Sequence, residues 1–170
     1  IEMYYMMFIQ IQNDINWQNQ TRDLSNADLN GVDAEFTNLM NTNLANANLR
    51  YADLRYADLR NTDLSGADLT GANLRYAYLH SSILTNANLD GAYLIGADLY
   101  NAELNNAYLA FAYLSNANLE FSNLNSANLR YADLAFANLS NAYLSGADLA
   151  FADLSNAYLS GADLTGVSWY

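Results

Sequence analysis

From Arg22 to Gly166 the apolar and polar positions recur on an unbroken period of five. The third place of each unit is Leu from Leu24 to Leu164, with Ala34 the one departure. The first place is small and usually Ala; Thr37, Thr42, Thr62, Ser82 and Ser122 are hydroxyl variants, and Arg22 and Val32 are departures near the start. The other places hold mostly Asp, Asn, Tyr, Ser, Gly and Arg. A helix cannot bury this pattern, because five residues turn it by about 500° and set successive Leu side chains about 140° apart. A flat strand alternates its faces every second residue and fails equally. Ala27 and Leu29, two apart, can share an inward face, whereas Leu29 and Val32 are three apart, so the chain must bend between them. Each unit is therefore a short bridge with one small and one large inward side chain, followed by a turn. Repetition winds such units into a solenoid around a stack of Leu and Ala.

ANLRY at 47–51, ADLRY at 52–56, ANLSN at 137–141 and ADLAF at 147–151 follow the pattern A-(D/N)-L-x-x. In these units the chain resembles the pentapeptide-repeat family. The resemblance runs from Arg22 to Gly166 and continues into Val167-Ser168-Trp169, where Trp169 takes the Leu place. It implies an all-β fold, a right-handed quadrilateral β-helix with four units, or twenty residues, per coil. At about 4.8 Å per coil the rod would stand about 35 Å tall. On a twenty-residue coil, Leu24, Leu44, Leu64 and Leu84 continue into Leu104, Leu124, Leu144 and Leu164 as one inward column.

Three segments are expected: an N-terminal cap over 1–21, the repeat over 22–166, and a partial repeat or cap over 167–170. An uncovered first coil would expose Leu and backbone edges, and Phe8, Ile9, Ile11 and Trp17 are the candidates to cover it; Trp169 is the candidate at the other end. Val32 and Ala34 exchange the usual small and large places, and Thr37 and Thr42 are expected to satisfy their hydroxyls locally. Asn46, Asn86 and Asn106 share a bend column with Gly66, Gly146 and Gly166, which suits positive φ at a tight turn.

The surface divides into columns. At the last place of the unit, Tyr51, Phe111, Tyr131 and Phe151 form one column and Phe36, Tyr56, Tyr76 and Phe136 the adjoining one. Stacking over the bends and docking of a partner are both readings of these aromatics. Before the central Leu, Tyr93 and Tyr113 share a column with Asp33 and Asp53 below and Asp133 and Asp153 above. Acidic ends around an aromatic centre suit a partner with basic groups. Arg55 and Arg75 lie among Tyr56 and Tyr76, a combination used both in recognition and in plain surface pairing.

Charge narrows the function classes. Eighteen acidic residues against six Arg and no Lys give a net charge of −12, so direct binding of nucleic acid is not expected. The chain has no Cys, hence no thiolate ligand or nucleophile, and His80 is its only His, so neither a zinc cluster nor a serine triad is available. No catalytic, cofactor-binding or metal residue is assigned. The apolar run at the start is too short to span a bilayer and lacks a basic leader region; the compartment stays open, with the cytoplasm favoured. The expectation is a non-enzymatic scaffold or protein-interaction solenoid whose protein partner is unspecified. The alternative, permitted by the resemblance and the acidic charge, is a DNA mimic that binds a type II topoisomerase such as DNA gyrase. Against it stand the absence of an interrupting loop and the positive charge from Arg50 to Arg75. An end-to-end homodimer is the expected assembly, since open coil edges invite pairing.

Overall fold

The computed structural model describes residues 22–170. The segment 1–21, with Phe8, Ile9, Ile11 and Trp17, lies outside the described residues. From 22 onward the chain forms a parallel solenoid in which residue n pairs with residue n + 20, from Asp23 with Asn43 to Asp148 with Ser168. Four such columns run up the rod, starting at Asp23, Asp28, Asp33 and Asn38; these define its first, second, third and fourth sides. Each side contributes a single bridged residue per coil, because the next turn begins two residues later.

The turns explain the period. In the first unit Ala27 N–H donates to Leu24 C=O at 3.1 Å while Asn26 between them takes φ 59°, and the same closure recurs along the chain. One left-handed residue in the second half of a turn is the signature that usually selects Gly or Asn. Every last-place residue from Asn26 to Gly166 has positive φ. Asn46, Asn86 and Asn106 behave as their column suggested. The aromatics at this place, Phe36, Tyr56 and Phe111 among them, are held left-handed too, at a cost of about 1–2 kcal/mol each for an L side chain without local hydrogen bonding.

The bridged place has a local task as well. Asp23 Oδ1 accepts Ser25 N–H at 3.0 Å and Asn43 Oδ1 accepts Ala45 N–H at 3.0 Å, so Asp and Asn alike fasten the turn that follows. Between coils, Asn43 Nδ2 donates to Asp23 Oδ1 at 3.0 Å and Asn118 Nδ2 to Asp98 Oδ1 at 3.0 Å. Where Tyr stands in that place it has no such acceptor. Asp90 takes over for Ala110 N–H at 2.9 Å, and Asn125 for Ser145 N–H at 2.8 Å, each from the coil below.

Inside, Leu44, Leu64, Leu84, Leu104, Leu124 and Leu144 are fully buried, while Leu24 and Leu164 at the ends are partly covered. A buried Leu contributes about 1.5–3 kcal/mol before entropy. Thr62 Oγ1 donates to Leu39 C=O at 2.8 Å, and Ser82 and Ser122 donate to Leu79 and Leu119 C=O at 2.6 Å. Thr37 and Thr42 depart from expectation: their buried Oγ1 atoms find no partner among the described residues. Trp169 follows Ser168 in the Leu register but keeps 43% of its surface exposed, and Tyr170 is 97% exposed.

Candidate functional site

With Leu and Ala consumed by the core, what distinguishes one side from another is its outer residues. On the third side Tyr93 and Tyr113 stack with ring centroids 4.9 Å apart and planes 3° from parallel. The i and i + 20 pairing supplies this geometry directly, since a coil spacing of about 4.8 Å falls within the centroid separations that offset-stacked rings prefer. Arg75 places its guanidinium 4.4 Å from the Tyr93 centroid and donates to Asn73 Oδ1 at 3.1 Å. The lower face of the tyrosine stack is thus occupied from within the chain.

The acidic ends are unequal. Arg55 reaches Asp53 Oδ2 at 2.7 Å and Glu35 Oε2 at 3.1 Å. Hydrogen bonding from that guanidinium holds the Asp53 carboxyl below its usual range, against the opposing effect of burial. Asp33, Glu35 and Asp53 bring carboxylate oxygens within 4.8 Å of one another, and Arg55 pairs with two of the three, Glu35 and Asp53. Above the tyrosines, Asp133 Oδ1 accepts Ala135 N–H at 3.0 Å and Asp153 Oδ1 accepts Ser155 N–H at 2.9 Å. Hydrogen bonding from Ser155 lowers the Asp153 pKa. Among the described residues neither carboxylate has a cation within ion-pair distance.

Two corner columns border this side. Phe36, Tyr56 and Tyr76 stack at 5.0 and 5.3 Å, and Phe111, Tyr131 and Phe151 at 5.0 and 4.9 Å. The second ladder is exposed by 59, 46 and 63% in that order. The rings lean over the following coil. A Cβ on Gly71 would lie 2.7 Å from the Tyr51 ring and one on Gly96 2.6 Å from the Tyr76 ring, so glycine there serves both the left-handed turn and the ring that leans in from the coil below. Arg130 approaches Tyr131 and Phe151 at 5.6 and 5.7 Å while pairing with Asp148 at 3.1 Å. His80 Nδ1 lies 3.6 Å from Asp98 Oδ2 on the fourth side, a half-exposed pair away from the aromatic columns.

The structure therefore gathers Tyr93, Tyr113, Asp33, Asp53, Asp133, Asp153, Arg55 and Arg75 on one side and puts Tyr56 and Tyr76 at its corner. It also separates them into a self-paired lower half and an upper half without cations. Sequence reasoning missed the turn-fastening role of the Asp and Asn place. The signal was present, because an Asx residue two before a turn N–H is a known local acceptor.

None of the curated proteins matches this chain. A crystal structure of the pentapeptide repeat protein Rfr23 from the cyanobacterium Cyanothece 51142 is similar at 39% identity over 55% of this chain, with a TM-score of 0.54, and the match spans 64% of that protein's length. QnrB1, described as a plasmid-mediated fluoroquinolone resistance protein, is similar in two trypsin-treated forms. These share 20 and 22% identity over 82% of this chain and 78% of theirs, with TM-scores of 0.70 and 0.66, a likeness of fold alone. Such neighbours imply a right-handed β-helix. No helix among the described residues is long and apolar enough to cross a membrane. The Pentapeptide repeats family model matches in eight copies across 23–46, 42–86, 72–109, 102–135 and 127–166. With the five-residue turn and twenty-residue pairing underneath those matches, this chain belongs to the pentapeptide-repeat family.

Proposed function

We propose that this chain is a non-enzymatic interaction scaffold, a right-handed quadrilateral rod whose third side and adjoining corners meet a protein partner. The observation that carries this reading is the exposed Phe111–Tyr131–Phe151 ladder beside Asp133 and Asp153. Large aromatics kept on a surface at left-handed positions are costly to the turn and well suited to recognition. The acidic surface, at a net charge of −12, favours a basic partner and slows approach of nucleic acid. End-to-end pairing of two copies belongs to the same proposal.

The test is retention of interacting proteins on the immobilised full chain, compared with a Tyr93→Ser/Tyr113→Ser variant of unchanged unfolding midpoint. A partner held by the first and lost by the second supports the scaffold; equal retention by both contradicts it. Titration into a DNA gyrase supercoiling assay addresses the DNA-mimic alternative, which predicts altered supercoiling and binding that weakens with salt. Arg50, Arg55, Arg60 and Arg130, paired with Asp68, Asp53, Asp58 and Asp148, set positive charge among the carboxylates, which counts against mimicry. Solution mass at two concentrations tests the dimer.

A further inference from the structure

We propose that the upper half of the third side receives an arginine-bearing segment of a protein partner, with a guanidinium seated on the Tyr113 ring and against Asp133 and Asp153. This rests on the scaffold reading and adds the chemistry of the occupant.

The lower half of the same side supplies the precedent within one chain. There Arg75 stacks over Tyr93 at 4.4 Å, and Arg55 forks onto Asp53 with contacts of 2.8 and 2.7 Å. Both arginines occupy the place after the central Leu. In the coils above, that place holds Ile95, Ser115, Ala135 and Ser155. The acidic and aromatic groups are thus repeated higher up while the arginines that complete them are absent. Short side chains leave Asp133 and Asp153 without a cation among the described residues, and Tyr113 remains 43% exposed.

A partner's arginine would take in trans the role that Arg55 and Arg75 take in cis. The neighbouring Phe111–Tyr131–Phe151 ladder extends the apolar floor, and Arg130 shows that a guanidinium settles near its rings, at 5.6 and 5.7 Å. A planar guanidinium can stack on a ring and fork onto a carboxylate at once, whereas an ammonium acts as a compact point charge. The site therefore selects arginine over lysine, and not positive charge alone.

The full chain is titrated with fluorescein-labelled hexa-arginine and hexa-lysine peptides at low and physiological salt. Hexa-arginine is expected to bind about tenfold more tightly than hexa-lysine. Replacing both carboxylates, Asp133→Asn with Asp153→Asn, should weaken hexa-arginine by about tenfold, and the equal charge change Asp23→Asn with Asp28→Asn on the first and second sides by less than about threefold. These variants keep the turn, because Asn fills the same place at Asn43 and accepts Ala45 N–H at 3.0 Å. Ala135→Arg should close the site from within and reduce binding, whereas Ala45→Arg, the same added charge on the first side, should reduce it much less. Tyr113→Ser should remove most of the preference for arginine. Absence of binding, equal affinity for the two peptides, or equal losses in the two aspartate pairs would overturn the proposal. A protein partner that needs Tyr93 and Tyr113 but is indifferent to Asp133→Asn and Asp153→Asn would overturn it too, and leave the scaffold reading standing.

Discussion

The first and third sides of the rod share one backbone and differ in what they show to solvent. Along the first side the bridged residues are largely polar, with Asn43 over Asp23 at 3.0 Å and Asn123 over Glu103 at 2.9 Å, and Thr85 bonds Asn105 at 2.9 Å just beside that column. Along the third side the same places hold a tyrosine stack and, above it, two carboxylates without cations, with the self-paired Arg55 and Arg75 just beside that column. The hydrogen bonds between coils are alike on both: Leu94 N–H to Tyr113 C=O and Leu104 N–H to Asn123 C=O are each 2.7 Å. Individuality in this fold is thus carried by side chains that the backbone does not need.

The core offers the largest effects and the clearest way to break the comparison. Leu94→Ala on the third side and Leu104→Ala on the first should each cost about 2–5 kcal/mol, with a difference below about 1 kcal/mol because both are fully enclosed by equivalent neighbours. Urea unfolding of the two variants checks this; a wide gap would make the sides unequal inside. Next come the corners. Gly96→Ala forces a Cβ to 2.6 Å from the Tyr76 ring, whereas Gly146→Ala meets nothing nearer than Ser126 Oγ at 3.6 Å. Both bear left-handed strain of about 1–2 kcal/mol, and Gly96→Ala should lose about 1 kcal/mol more through crowding. Equal midpoints would mean that the Tyr76 ring moves aside freely.

Replacing Tyr56 by Asn removes two stacked contacts, at 5.0 and 5.3 Å, worth about 0.5–1.5 kcal/mol each. Asn is better suited to the left-handed turn, so the net loss in a urea transition should stay near about 1 kcal/mol. The smallest effect is on pH. Asp53 and Asp58 have folded pKa values lowered by hydrogen bonds from Arg55 and Arg60. Their contribution is present above the unfolded carboxylate pKa near 4 and is lost as pH falls through the lower folded values. Exposed pairs of this kind contribute about 0–1 kcal/mol. Asp58→Asn should therefore flatten the acid limb of a stability–pH profile only slightly; an unchanged limb would remove the Arg60 pair from the account.

Much of the fold was legible because inward direction is what periodicity reports. Ala27 and Leu29, two apart and followed by a bend, predict the inward pair, and the Asn and Gly columns predict positive φ. Pairing at twenty residues came from the resemblance, since a period of five alone does not say how many units close a coil. The candidate side was legible as a column but not in its energetics. Whether Arg75 pairs with a carboxylate or lies on Tyr93 depends on its rotamer, and in sequence Asp53, Asp58, Asp63 and Asp68 compete alike for Arg50, Arg55 and Arg60. Asp133 and Asp53 look equivalent in the chain; Arg55 and Ala135, two residues after each, make them different. The missing partners of Thr37 and Thr42 were equally invisible, because a hydroxyl's satisfaction turns on tenths of an ångström.

The central claim is that the aromatic corners are carried by the rod and are not required to build it. The most direct measurement is the urea unfolding transition of the full chain with Phe111→Asn, Tyr131→Asn and Phe151→Asn combined. The account predicts a single cooperative transition, with a loss no larger than about 3 kcal/mol for the two stacked contacts removed. A broad transition, or a loss greater than that of a core Leu truncation, would make the ladder a structural cover and contradict its assignment to recognition.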